Sequence, residues 1–196
     1  MSPGMRRWSR PPYIAAAVVV IGVAIGIGVA FAITPNASHS ATASAATRHV
    51  PKPAGPNPST SAQMVCAPEA QTDLTSTLGI AATSVTTPTW TDHVYACQYL
   101  YPSGTVSLSV KELANQATTD RYYASLRSQL GQVRQLKGFG QGAFTTHDGS
   151  LVLRKDYKVL LVDTSKLTVP FGQGLNSRSQ VATAVALTVL GCWTGS

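Results

Sequence analysis

Residues 14–33, IAAAVVVIGVAIGIGVAFAI, are twenty consecutive residues without a charge. A helix over this run measures about 30 Å, the thickness of a bilayer's hydrocarbon core. In lipid a helix satisfies its own backbone groups, so the glycines and β-branched residues are no obstacle. Arg6, Arg7 and Arg10 precede the run, and no charged residue follows it until Arg48. The positive-inside bias then makes residues 1–13 a cytoplasmic basic tail and residues 14–33 a transmembrane helix, with everything later outside. The expected address is the cell membrane, single-pass, with the C-terminal domain extracytoplasmic. Ala30-Phe31-Ala32 and Ala43-Ser44-Ala45 also have the small-x-small form of a cleavage site. Secretion after signal cleavage is therefore the alternative, and it leaves the domain in the same compartment.

Residues 34–63 hold five prolines and almost no large apolar side chain, so they read as a disordered Pro/Ser/Thr/Ala-rich tether. A coil of about 30 residues has a mean span of roughly 30 Å. Residues 64–196 remain as one extracytoplasmic globular domain, long enough for a genuine core. Of the fifteen basic residues three precede the hydrophobic run; the other twelve face eight acidic ones, about +4. They form no run or helical stripe, which argues against nucleic-acid binding.

Within the domain, residues 68–78 read as a helix closed by Gly79, and residues 82–89 as a β-branched strand. Residues 93–101 form a second strand, closed by the turn Pro102-Ser103-Gly104. Residues 105–111 alternate, with Val106, Leu108 and Val110 on one face. Residues 118–130 read as a helix capped by Thr118. Asp148-Gly149 is a hairpin turn between strands 143–147 and 150–154, and residues 158–164 make another strand. Ser177 and Gln180 form a capping box for a last helix over 177–192. The expected fold is α+β: an antiparallel sheet of about five to six strands flanked by helices.

Three cysteines in an oxidising compartment imply one disulfide and one leftover thiol. Three pairings are open. Cys66–Cys97 is the expected one, because Cys192 continues the Val181/Val185/Val189 face and reads as a buried thiol. No catalytic residue stands out: there is no Gly-x-Ser-x-Gly elbow and no His-Glu-x-x-His. The glycines at 138–142 precede a strand-like hairpin rather than a helix, so they suit tight turns and no cofactor is expected. His39 and His49 fall in the tether, His93 opens a strand, and His147 sits at a hairpin tip. None has companion ligands at helical or strand spacing, so no metal site is expected. Tyr95, Tyr99 and Tyr101 alternate with Cys97 on one strand face, and Tyr122 and Tyr123 lie on the following helix. Tyrosines pair an apolar ring with a hydroxyl, which makes these five the candidate binding face for a sugar, peptide or lipid headgroup.

Cys66 before a helix ending Leu78-Gly79, Cys97-Gln98-Tyr99, the strand Val106-Ser107-Leu108-Ser109-Val110, Gly138-Phe139-Gly140-Gln141-Gly142-Ala143, the late strand Val159-Leu160-Leu161-Val162 and an apolar C-terminal helix together carry a resemblance. Over residues 64–192 the chain resembles actinobacterial envelope and lipoprotein domains of unknown function, similar to extracellular sensor domains of mycobacterial Ser/Thr kinases. The resemblance implies a PsbP-like sandwich and a binding or sensing role, with no catalytic residues. The chain departs from it in having Tyr99 where an aromatic, often Trp, is expected. It also lacks a lipidation box, since Cys66 lies far beyond the hydrophobic segment. The function expected is a membrane-anchored, non-enzymatic ligand-binding or sensing domain. The rival readings are an interaction or scaffolding subunit of an envelope complex, partnered by a membrane protein, and a hydrolase with an unrecognised site.

Overall fold

The computed structural model describes residues 50–193. The expected cytoplasmic tail, the transmembrane helix and the first part of the tether lie outside the described residues. Among the described residues no helix is long and apolar enough to cross a membrane.

After an extended strap come a one-turn helix α1 (Thr60–Gln63), a 3-10 turn (Met64–Cys66) and α2 (Pro68–Leu78). Four strands follow: β1 (Ser84–Val85), β2 (Thr89–Thr91), β3 (Val94–Tyr101) and β4 (Gly104–Glu112). Then α3 (Gln116–Leu130), β5 (Gln132–Leu136), β6 (Gly142–Thr146), β7 (Leu151–Lys155), β8 (Lys158–Asp163) and α4 (Arg178–Trp193) follow among the described residues. The strands form one antiparallel sheet in the order β1-β3-β4-β8-β7-β6-β5, with β2 beside β1 on the edge of β3. The sheet thus has eight strands, not five to six.

Two strands escaped the sequence reading for physical reasons. Asp92 and His93 both take positive φ, 49° and 57°, and make a two-residue hairpin joining Thr91 to Val94. His93 is therefore a turn residue and does not open a strand. The I′-type geometry is met without the usual Asn-Gly. β5 is a polar edge strand whose alternation is broken by a register shift between Gln132 and Arg134.

Strand alternation divides the core between two layers. Val106, Leu108, Val110, Leu151, Leu153, Leu160 and Val162 face α2 and α4, whose Leu74, Leu78, Val181, Val185 and Val189 close that side. Phe144, Val152 and Val159 point the other way and meet Tyr123 and Leu126 of α3. The sheet is thus covered by helices on both faces.

Helix ends follow local chemistry. Asn115, not Thr118, is the N-cap of α3: its side chain accepts from Thr118 N at 3.0 Å, while the Thr118 hydroxyl answers Asn115 N. The Ser177/Gln180 box is present as expected, with Gln180 Oε1 accepting from Ser177 N at 3.1 Å. The Asp148-Gly149 hairpin also forms; Asp148 Oδ1 accepts from Ser150 N at 3.0 Å, and Gly149 sits at φ +91°. Gly172 lies under the end of α2, where an added Cβ would meet Leu78 O at 2.0 Å.

The Cys66–Cys97 disulfide is present and ties the turn before α2 to the middle of β3. Cys192 departs from its expected place. Four residues advance a helix by 400° and three by only 300°, so Trp193 is the one that continues the Val185/Val189 stripe. Trp193 is accordingly buried, and Cys192 is half-buried beside Asp73 of α2, 3.8 Å away.

Candidate functional site

The five tyrosines do not form one face. Tyr99 and Tyr101 are 1 % and 7 % exposed beneath α2 and α4, and Tyr95 packs against the same core. The Tyr99 hydroxyl donates to Val65 O at 2.7 Å, and Tyr101 stands edge-on to Phe171 at 4.9 Å. Tyr122 and Tyr123 lie across the sheet, in the α3 layer. Arg154 sits over the Tyr123 ring at 5.3 Å while pairing with Asp120, and Lys111 sits over Tyr122 at 6.0 Å. A single helix cannot reach the face of β3 that its own layer does not cover, so the expected binding face is split by the sheet.

Burial first, and for Tyr99 the neighbouring phenols as well, raise Tyr99 and Tyr101: Tyr101 is pushed up to about 12 and Tyr99 higher. An unfolded chain ionises its tyrosines near 10, below the folded values, so their contribution to stability is complete below about pH 10 and is lost as pH rises toward the folded values. The urea midpoint should hold to about pH 9.5 and fall above it. A Tyr99→Phe/Tyr101→Phe variant should show a shallower fall, and an equal fall would refute the assignment.

The cleft that does form is built by residues assigned to the tether. The disordered tether was expected to run to residue 63, yet residues 54–63 are bound to the domain. Ala54 N donates to Leu113 O at 3.0 Å, and Trp90 Nε1 to Pro56 O at 2.9 Å. Trp193 Nε1 donates to Ser61 O at 2.8 Å. Ser59 caps α1 and donates through its hydroxyl and its N–H to Glu112, a carboxylate only 5 % exposed. Prolines carry carbonyls but no N–H. A proline-rich strap can therefore lie on a domain with few donors to satisfy, accepting from its tryptophans.

Between this strap and the ends of β4, β7 and β8 lies a cleft of about 570 Å³. The strap brings Lys52 together with Pro53, Pro56 and Pro58, and the body of the domain brings Trp193, Lys155 and Lys158 with the carboxylates Glu112 and Asp156. Lys155 Nζ donates to Trp193 O at 2.8 Å, neutralising the C-terminal end of α4. Lys158 is the register partner of Glu112 on the neighbouring strand. Composition could not reveal this site, because a bound proline-rich strap and a free one read alike.

Cys192 is poorly placed as a nucleophile. Burial and the Asp73 carboxylate both raise its thiol, the reverse of thiolate activation. Among the described residues no group of three or more His, Cys, Asp or Glu side chains is placed to hold a metal ion. Comparison with known protein families, curated proteins and solved structures finds no significant match.

Proposed function

We propose that the chain is a non-enzymatic, membrane-anchored ligand-binding or sensing domain of the cell envelope, and that its ligand occupies the strap cleft. The observation that carries this reading is the cleft's mixed lining, in which three lysines outnumber the carboxylates Glu112 and Asp156 beside strap prolines and Trp193. Such a site suits an amphiphile with an anionic head. The extracytoplasmic address is supported by the arginines before residues 14–33 and by a disulfide of the kind oxidising compartments preserve. The helix-covered antiparallel sheet is in keeping with the PsbP-like sandwich and with the sensor domains the motifs resemble. The membrane enters as partner through residues 14–33.

The full chain in non-ionic micelles should bind dihexanoyl phosphatidylglycerol in preference to dihexanoyl phosphatidylcholine, read by tryptophan fluorescence. Lys52→Gln and Lys158→Gln should each weaken binding about fivefold, the worth of one lysine near an anionic lipid. Glu112→Ala should release the strap and remove the preference. Equal binding of both lipids, or wild-type affinity in the double lysine variant, would sink the reading.

A scaffolding role is the second reading. It is favoured by the outer side of α4, where Leu187 is 52 % exposed. Stoichiometric co-purification of a membrane protein, lost in Leu187→Glu, would decide for it.

A further inference from the structure

We propose that a second cleft, at the N-terminus of α4, is a binding site for a tetrahedral oxyanion, a phosphate group free or carried on a small molecule. The cleft measures about 640 Å³ and shares no lining residue with the strap cleft. Among the described residues six polar or charged side chains are buried, and five of them hold hydrogen-bond partners: Glu112, Thr119, Thr146, Ser150 and Thr164. Thr145, 4 % exposed and lining this cleft, is the sixth, and its hydroxyl bonds to no protein group among the described residues. No fully sealed side-chain polar atom among the described residues lacks a partner, so the Thr145 hydroxyl is one that opens into the cleft.

Donors converge on the same space. α4 is sixteen residues long, and the first N–H groups of a helix have no intrahelical acceptor. The N–H groups of Asn176 and Ser177 are taken by Gln180 Oε1, and those of Gln180 and Val181 by Ser177. Those of Arg178 and Ser179 have no acceptor among the described residues and lie at the positive end of the helix dipole. Gly149 packs closely against this end: an added Cβ would stand 2.4 Å from Arg178 Cβ and 3.0 Å from Ser179 N. Arg134, the register partner of Thr145 on β5, lines the cleft beside it. Arg178 also lines the cleft, and its Nε donates to Leu167 O at 2.7 Å. Asp148 is the one acid among the described lining residues, and its Oδ1 is engaged by the Thr146 hydroxyl and Ser150 N. Two arginines, a helix end and a buried hydroxyl therefore face one engaged carboxylate, which selects an anion with several acceptor oxygens.

The test is a titration of the ¹⁵N-labelled full chain in micelles with inorganic phosphate, followed by amide shifts, with glycerol phosphate and sulfate in parallel. The Arg178, Ser179 and Thr145 amides should shift saturably. Thr145→Val and Arg134→Gln should each weaken binding about tenfold, the worth of one hydrogen bond to a charged ligand. The melting temperature without ligand should stay unchanged. Tighter binding of glycerol phosphate identifies an esterified phosphate, and equal binding identifies the free ion. Linear shifts that never saturate, or wild-type affinity in both variants, overturn the proposal. Lys52→Gln/Lys158→Gln should leave phosphate binding intact, which separates this outcome from the fate of the strap cleft.

Discussion

Replacing Cys66 and Cys97 together by alanine should lower the unfolding free energy by about 3–4 kcal/mol, the chain entropy released when a loop of this length is opened. The bridge spans a sequence separation of 31 and joins the turn before α2 to β3, a strand flanked by β4 on one side and by β1 and β2 on the other. Without it, the Tyr99 hydroxyl bond to Val65 O and apolar packing hold this turn and α2 to the sheet. Urea unfolding of the oxidised wild type against the double variant measures the difference, and reducing agent should move the wild type toward the variant. Thiol titration in denaturant should find one reactive group in the oxidised protein, Cys192. A change below about 1 kcal/mol would show that the cross-link closes a loop already constrained in the unfolded chain.

Phe144→Ala should cost about 3–5 kcal/mol, the range for emptying an aromatic site that cannot collapse. Phe144 is wholly buried and meets Tyr123 edge-on at 5.3 Å. The α3 layer is the thinner of the two, with Tyr123, Leu126, Phe144, Val152 and Val159 as its buried members. Removing the largest fully buried one leaves a void against a rigid sheet on one side and a helix on the other. Phe144→Leu should cost less than half as much. The loss is measured by thermal or urea unfolding, and helical circular dichroism should report whether α3 loosens before the sheet. A cost under about 1 kcal/mol would mean that α3 is fixed elsewhere, through the Arg154–Asp120 pair above all.

Elements whose side chains repeat with a clear period were legible from residues alone. The alternation of Val106, Leu108 and Val110 marks β4, and the Leu74/Leu78 pair with Gly79 marks α2. Asp148-Gly149 marks the β6–β7 hairpin. The Cys66–Cys97 pairing formed as expected although its premise failed, since Trp193 and not Cys192 continues the Val185/Val189 stripe. The edges were not legible. β2 and β5 are short and exposed, so their sequences serve solubility rather than a core face, and no period betrays them. The tyrosines misled for a related reason. Alternation shows that Tyr95, Tyr99 and Tyr101 share a face, but not which helix covers it. The sequence neighbour α3 crosses to the other side, and distant α2 and α4 take its place. The strap cleft and the α4 cleft are both assembled from segments far apart in the chain, and only the sheet order brings those segments together.

The strap also determines where the domain yields to force. A pull applied at Val50 loads the Ala54–Leu113, Trp90–Pro56 and Ser59–Glu112 bonds before it reaches any core residue. It then meets Cys66, where the covalent link to Cys97 transfers the load to the sheet. Tension would therefore fall first on the strap's hydrogen bonds, which line the cleft, and on the Trp193–Ser61 bond and the buried Ala62 and Val65 before the cross-link.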